Sequence, residues 1–150
     1  MGSKKIVRSL VALVAVLAML LVTVAATSAA PNTTSQLVVQ VQSLNGNPLI
    51  VNMSAESSSG RTRGFVTLYD PQSHMMVVGT ITYLQQIDYG YHFEGCGYRM
   101  GIHAGRICFA GAAQEAPYGN PTDFFSFVVT RGYPYQVYGQ VTAGGGVYYQ

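Results

Sequence analysis

The chain has 150 residues and a formal net charge of +2, but both lysines and Arg8 lie in its first eight residues, so the remainder carries five arginines against six carboxylates, 5 − 6 = −1. Scattered arginines on a lysine-free stretch exclude the clustered basic face that phosphate neutralisation needs, so nucleic acid is not expected as a partner. Low charge combined with eleven tyrosines and six phenylalanines points to a packed core rather than disorder.

At the N-terminus Lys4, Lys5 and Arg8 precede an apolar run from Leu10 to Val22, and Ala25-Ala26-Thr27-Ser28-Ala29-Ala30 follows. That is the order of a secretory signal peptide: charged region, short apolar region, small-residue cleavage zone. A spanning helix needs roughly 20 apolar residues with polar flanks, whereas this run decays into small residues and then Pro31. Residues 1–29 are therefore read as a signal peptide, with cleavage after Ala29 and export to the extracellular space. No cysteine near the cleavage zone invites lipidation, and Val147-Tyr148-Tyr149-Gln150 is neither a hydrophobic nor a basic tail. No membrane anchor is expected once the signal is removed. The remaining chain of about 120 residues is one domain's worth.

Residues 30–35 read as a flexible segment, and residues 36–150 as a single all-β domain. Apolar and polar residues alternate at period two almost throughout: Leu37, Val39 and Val41 against Val38, Gln40 and Gln42; Tyr89, Tyr91 and Phe93 against Asp88, Gly90, His92 and Glu94; Tyr135, Val137, Gly139 and Val141 against Gln136, Tyr138, Gln140 and Thr142. Such alternation marks half-buried strands. Turn residues separate them at Asn45-Gly46-Asn47-Pro48, Asp70-Pro71-Gln72-Ser73, Gly101 to Gly105, Gly132-Tyr133-Pro134 and Gly144-Gly145-Gly146, with longer breaks at 57–60 and 114–121. Eight to ten antiparallel strands are predicted, at 36–43, 49–56, 64–69, 74–84, 86–94, 95–100, 106–113, 123–131, 135–143 and 146–150. A meander of this many strands must close on itself or fold into two layers, giving a sandwich or a flattened barrel.

Cys96 and Cys108 are the only cysteines, and export places them in an oxidising compartment. If Ile102 is the centre of a hairpin tip, opposed residues have numbers that total 204. Cys96 then faces Cys108, Gly95 faces Phe109 and Gly97 faces Ile107. A disulfide across a closely spaced pair is predicted, a structural staple rather than the helix-borne C-x-x-C of a redox site. Glycine beneath a large cross-strand ring is a packing device. Phe93, Ile107 and Phe109 should share the core face, with both sulfurs on the opposite face beside His92 and Glu94.

Asp88, His92 and Glu94 fall on one face of one strand. Lining a barrel, His92 and Glu94 have the chemistry of an acid/base pair; on the outside they are the wet side of a half-buried strand. The motif Gly-x-Ser-x-Gly is absent, and no catalytic residue is assigned. His74, His92 and His103 are dispersed, no His-Glu-x-x-His occurs, and the disulfide consumes both thiols, so no metal site and no cofactor are expected. Asp70, Asn120 and Asp123 lie in or beside loops but not in a calcium-loop pattern; turn formation and strand capping explain them. Asn32-Thr33-Thr34 and Asn52-Met53-Ser54 match glycosylation acceptors.

The tyrosines carry the binding expectation. Tyr133, Tyr135, Tyr138, Tyr148 and Tyr149 crowd the C-terminal third, and alternation sends Tyr138 and one of Tyr148 or Tyr149 away from the core. Exposed rings stack on sugars or pack on proteins, and Tyr133, Tyr138, Tyr148 and Tyr149 are the candidate binding residues. Cross-strand aromatic pairing is the plainer use of the same rings.

From Gly64 onward the chain resembles the secreted bacterial domains called post-COAP. The likeness rests on Gly64-Phe65-Val66 at a strand start, the aromatic-x-Gly-x-Gly segment Phe93-Glu94-Gly95-Cys96-Gly97, the Asp-x-Phe strand at Asp123-Phe124-Phe125, and a Tyr leading into a Gly-rich last strand, Tyr135 to Tyr149. It covers residues 64–150. Gly101-Ile102-His103 stands where that pattern has an Asn-Gly turn, and Gln114-Glu115 where it has an Asp. The resemblance implies an accessory extracellular β-domain without assigned catalysis, and brings no active residues.

Three functions follow as expectations. The first is a secreted non-catalytic domain that binds an extracellular protein, glycan or surface through exposed tyrosines. The second is a self-associating subunit of an extracellular assembly, in which Gln36 to Ser43 completes a neighbour's sheet. The third is a small barrel enzyme using His92 and Glu94.

Overall fold

The computed structural model describes residues 34–117 and 122–150. The signal peptide expected over residues 1–29 lies outside the described residues, as do residues 30–33 of the segment after it and 118–121 of the long loop. Nine strands follow one another without a helix among the described residues: β1 (Ser35–Leu44), β2 (Asn47–Ser58), β3 (Arg61–Asp70), β4 (Met75–Ile87), β5 (Gly90–Met100), β6 (Gly105–Gln114), β7 (Phe124–Arg131), β8 (Gln136–Ala143) and β9 (Gly146–Tyr149). Each pairs antiparallel with the next from β1 to β8, and β1 also pairs with β8 and β9. The sheet therefore closes into a ring, and the choice between sandwich and flattened barrel falls to the barrel.

Alternation places one apolar set inside the ring. Leu37, Val39 and Val41 of β1, Val51, Met53 and Ala55 of β2, Val66 and Leu68 of β3, and Val77 and Ile81 of β4 are all buried. Across from them Phe93 stacks on Phe125 at 6.1 Å and Phe109 on Phe127 at 5.0 Å between ring centroids. Each such ring removed from water contributes about 1.5–3 kcal/mol. The rings fit because β4, β5 and β6 carry glycine inside the ring: a Cβ at Gly95 would stand 2.8 Å from Phe109 Cζ, and one at Gly111 would collide with Phe93. Side chains fill the interior, as in other small closed barrels.

Three sequence expectations change. Segments 86–94 and 95–100 are one strand, β5, because the reversal sits at Asp88-Tyr89, where Tyr89 takes a positive φ of 61°. Tyr89 is consequently an exposed turn residue rather than an inward one, and Asp88 is removed from the face of His92 and Glu94. The lead-in segment ends earlier than 35, since Ser35 already pairs with Ser57.

The third change concerns Gly144-Gly145-Gly146. Ser43 opposes Ala143, Gln40 opposes Gly146 and Leu37 opposes Tyr149, pairs whose numbers all total 186. The glycines do not reverse the chain. β8 and β9 are one interrupted run along β1, and the ring has eight staves. β1 is thereby paired along both edges, so strand donation by Gln36 to Ser43 requires the ring to open first.

Candidate functional site

The hairpin β5–β6 has the register expected from its sequence, with Cys96 opposite Cys108, Gly95 opposite Phe109 and Gly97 opposite Ile107. The cysteines form a disulfide with Cα atoms 4.0 Å apart, the closer of the two antiparallel spacings. Both sulfurs sit outside the ring with His92 and Glu94. His92 Nε2 lies 3.0 Å from Glu94 Oε1, the two side chains being 33% and 54% exposed, and Tyr83 meets the imidazole edge-on. This pair stands on the wet face, where solvent screens the contact.

At one end of the barrel, the turns after β1, β3, β5 and β7 gather. The first is Asn45-Gly46, whose φ values of 51° and 81° suit the tight two-residue hairpin turn. The Asn45 side chain then does a second task. Its Nδ2 donates to Tyr138 O at 3.1 Å, and its Oδ1 accepts from the Gln140 N–H at 3.0 Å. The amide acts as an extra peptide group that extends the β1–β8 pairing, and it fits only because Gly139, at φ 150°, has no Cβ to meet it.

Asp70 holds the next turn. Its Oδ1 accepts from the N–H groups of Gln72 and Ser73, and its Oδ2 accepts from Ser73 Oγ at 2.8 Å and Tyr135 Oη at 2.7 Å. Partial burial pushes the carboxyl up, but the bonds from Tyr135, Ser73 and Gln72 outweigh it and leave Asp70 below the usual carboxylate value. Burial first, then the Asp70 carboxylate, drives the Tyr135 phenol far above its ordinary range. Behind them Arg99, only 6% exposed, donates from Nη1 to Tyr133 O and lies over the rings of Tyr133 at 5.1 Å and Tyr135 at 5.7 Å. Its Nε has no partner among the described residues.

Between the first of these turns, the β3–β4 loop and the start of β8 lies a cleft of about 250 Å³. Leu44 and Leu49, both buried, provide an apolar floor. Asn45, Asn47, Gln72 and Gln136 set amides around it, Asp70 closes one side, and Tyr138, 64% exposed, stands at the other. Among the described residues no cationic side chain lines it, and the Asp70 carboxylate already accepts four hydrogen bonds. What remains open to a ligand is amide, ring and aliphatic surface.

The four candidate tyrosines do not converge. Tyr138 and Tyr148 both point outward as alternation requires, Tyr148 being 58% exposed, but ten residues of one extended run separate them by about 30 Å. Tyr149 turns inward, packs on the core and meets Tyr91 edge-on. Lost water contact and the Glu115 carboxylate raise its phenol above the usual value. Tyr133 is half exposed yet occupied, held by Arg99 and stacked on His103 at 3.7 Å. Tyr148 and Tyr149 instead border a second depression, of about 350 Å³, with Gln36, Val38, Glu115 and Gln150.

Two loop carboxylates considered for metal binding are structural. Asp123 accepts the N–H groups of Ala116 at 2.9 Å and Val147 at 2.6 Å, tying the long loop to β9, and Asp70 serves its own turn. Asn120 lies outside the described residues. Among the described residues no three His, Cys, Asp or Glu side chains gather around a common point. Sequence reasoning named Tyr138 by parity but missed the cleft beside it, because its walls come from residues about 90 positions apart. The one local signal was Asn45-Gly46, which marks the turn and not its reach across to β8.

Comparison with known proteins finds no matching family, no matching curated protein and no matching solved structure.

Proposed function

We propose that the chain is a secreted, non-catalytic binding domain whose seam cleft takes a neutral, polar ligand of the glycan class, with Tyr138 as the stacking wall. The observation that carries this reading is the cleft's chemistry: an apolar floor, a rim of amides, an exposed ring and no unsatisfied charge. Sugar rings present an apolar face and a hydroxyl edge, which such a site matches. An anionic ligand would find no cation there. The signal-like N-terminus and the disulfide support export, and the post-COAP resemblance supports an accessory role.

Calorimetric titration with a panel of neutral oligosaccharides tests it. At least one class should bind, and Tyr138→Ala should weaken that binding about tenfold while leaving the melting temperature unchanged. Binding that survives both Tyr138→Ala and Gln136→Ala would remove the cleft from consideration. Glu94→Gln serves as the control for the acid/base reading: a turnover that this variant abolishes would make the chain an enzyme. An assembly role is favoured by a different surface.

A further inference from the structure

The cleft reaches only the ends of β2 and β3, at Asn47, Pro48, Leu49 and Asp70; over the rest of the outer face of β2 to β5, strand register fixes which side chains lie side by side. Ile50 opposes Tyr69, Tyr69 opposes Met76 and Met76 opposes Met100, one row across four strands. The next row is Asn52, Thr67, Val78 and Tyr98, and the third is Ser54, Phe65, Thr80 and Cys96. No member of the three rows is charged. Their large apolar side chains are each between 37% and 60% exposed. Charge returns only at the borders, with Arg106 opposite Tyr98 and the Glu56–Arg63 pair beyond the third row.

The size of this face is informative. With about 150–250 Å² for a whole aromatic side chain, the exposed fractions give roughly 650 Å² of apolar surface, and the intervening Thr, Ser and Asn bring the face to about 800 Å². The largest apolar patch on a monomer is about 300–600 Å². One partner in a specific complex contributes about 800 Å².

We propose that a second copy of this chain covers the face in a two-fold dimer. A two-fold interface sets one patch against itself, so every charge in it would meet a like charge or need a counter-charge inside the same patch. Three uncharged rows meet that condition. They also offer a charged partner no counter-charge. Association through a strand edge is closed off by the ring, whereas two sheet faces can pack about 10 Å apart with their side chains interleaved. Met76 and Met100 have the flexibility to fill the gaps of such a contact. Tyr138 lies on β8 and belongs to none of the three rows, so the dimer does not rest on the ligand reading, although the cleft borders the first row through Pro48 and Asp70.

Sedimentation velocity of the exported chain, over a concentration series from micromolar to millimolar, tests the proposal. A monomer–dimer equilibrium is expected. Tyr98→Glu and Met76→Lys should each weaken it about 100-fold or more with an unchanged melting temperature, since both positions point to solvent, and Tyr138→Ala should leave it intact. Should Tyr98→Glu fail to fold, Met76→Lys decides alone. A chain that stays monomeric throughout overturns the proposal, as does a dimer indifferent to the substitutions. Co-flotation of a monomeric chain with phosphatidylcholine vesicles also overturns it, assigning the face to lipid.

Discussion

The β5–β6 hairpin and the β1–β8 seam are both antiparallel pairings in the same ring, held by different means. Hairpin partners sit within about two dozen residues of each other, their register is continuous from Gly90 to Arg99, and a disulfide fixes it. At the seam only Ser43 and Leu44 pair with β8, through a shifted register. Beyond them the Asn45 N–H donates to Gln140 O at 2.9 Å, and the Asn45 side-chain amide and the Ser43–Thr142 hydroxyl contact, at 3.0 Å, supplement this short ladder. Local pairing closes a short loop at small entropic cost, whereas the seam joins residues about a hundred positions apart at a larger one. The candidate cleft lies at the seam, where side chains rather than a continuous ladder make the wall.

The largest effect should come from the hairpin's packing. Gly95→Val places its branches against Phe109 and the neighbouring strand, and a loss of about 3 kcal/mol or more is expected, or failure to fold. Urea unfolding checks it; a variant within about 0.5 kcal/mol of the parent would show that the ring is not seated on Gly95. Next comes the staple. Replacing both Cys96 and Cys108 with alanine should cost about 3 kcal/mol, read from the same curves.

The seam should yield less per change. Asn45→Gly keeps the left-handed turn geometry but removes the bridging amide, so it isolates the two bonds to Tyr138 and Gln140. A loss of about 1–2 kcal/mol is expected, and a loss as large as that of the disulfide would reverse the ranking of the two regions. Hydrogen exchange should follow the same order, with the Gln140 amide opening before those of β5 and β6.

How far the two regions were legible follows from the same difference. A centre at Ile102 gave every pair of the hairpin, because a short loop leaves one consistent register and the glycine-under-ring pairs agree with it. Parity gave the outward turn of Tyr138 and of one of Tyr148 and Tyr149, and the structure makes it Tyr148. Parity did not give the run of β8 into β9: three glycines in succession read as a reversal, whereas Gly144 bends at φ 65° and Gly146 resumes pairing with Gln40, a residue about a hundred positions away. It missed the apolar outer face for a like reason. Ile50, Tyr69, Met76 and Met100 are single exposed residues in four separate strands, and become one row only when all three registers are known.

The hydrogen bond from Tyr135 to Asp70 at the end of the barrel offers a pH test. Asp70 has a folded value below its unfolded one near 3.8, so its contribution is present above that pH and disappears as pH falls through the lower folded value. Tyr135 is shifted up, so its contribution is complete below its unfolded value near 10 and disappears as pH rises beyond it. Tyr135→Phe removes the shared bond, and the stability difference between parent and variant should be about 1 kcal/mol between these limits. It should narrow below about pH 4 and above about pH 10. A difference independent of pH would mean that Tyr135 acts through packing alone.

The smallest effect on stability is expected at the residue proposed to bind the ligand. Tyr138 has its ring in solvent, and its structural tie to Asn45 runs through its own carbonyl oxygen, which every residue carries. Tyr138→Ala should therefore shift the midpoint by less than about 0.5 kcal/mol while ligand titration loses its heat. If instead the variant unfolds with the ease of Asn45→Gly, the ring is part of what closes the seam. The cleft would then be a by-product of closure rather than a place kept open for something else.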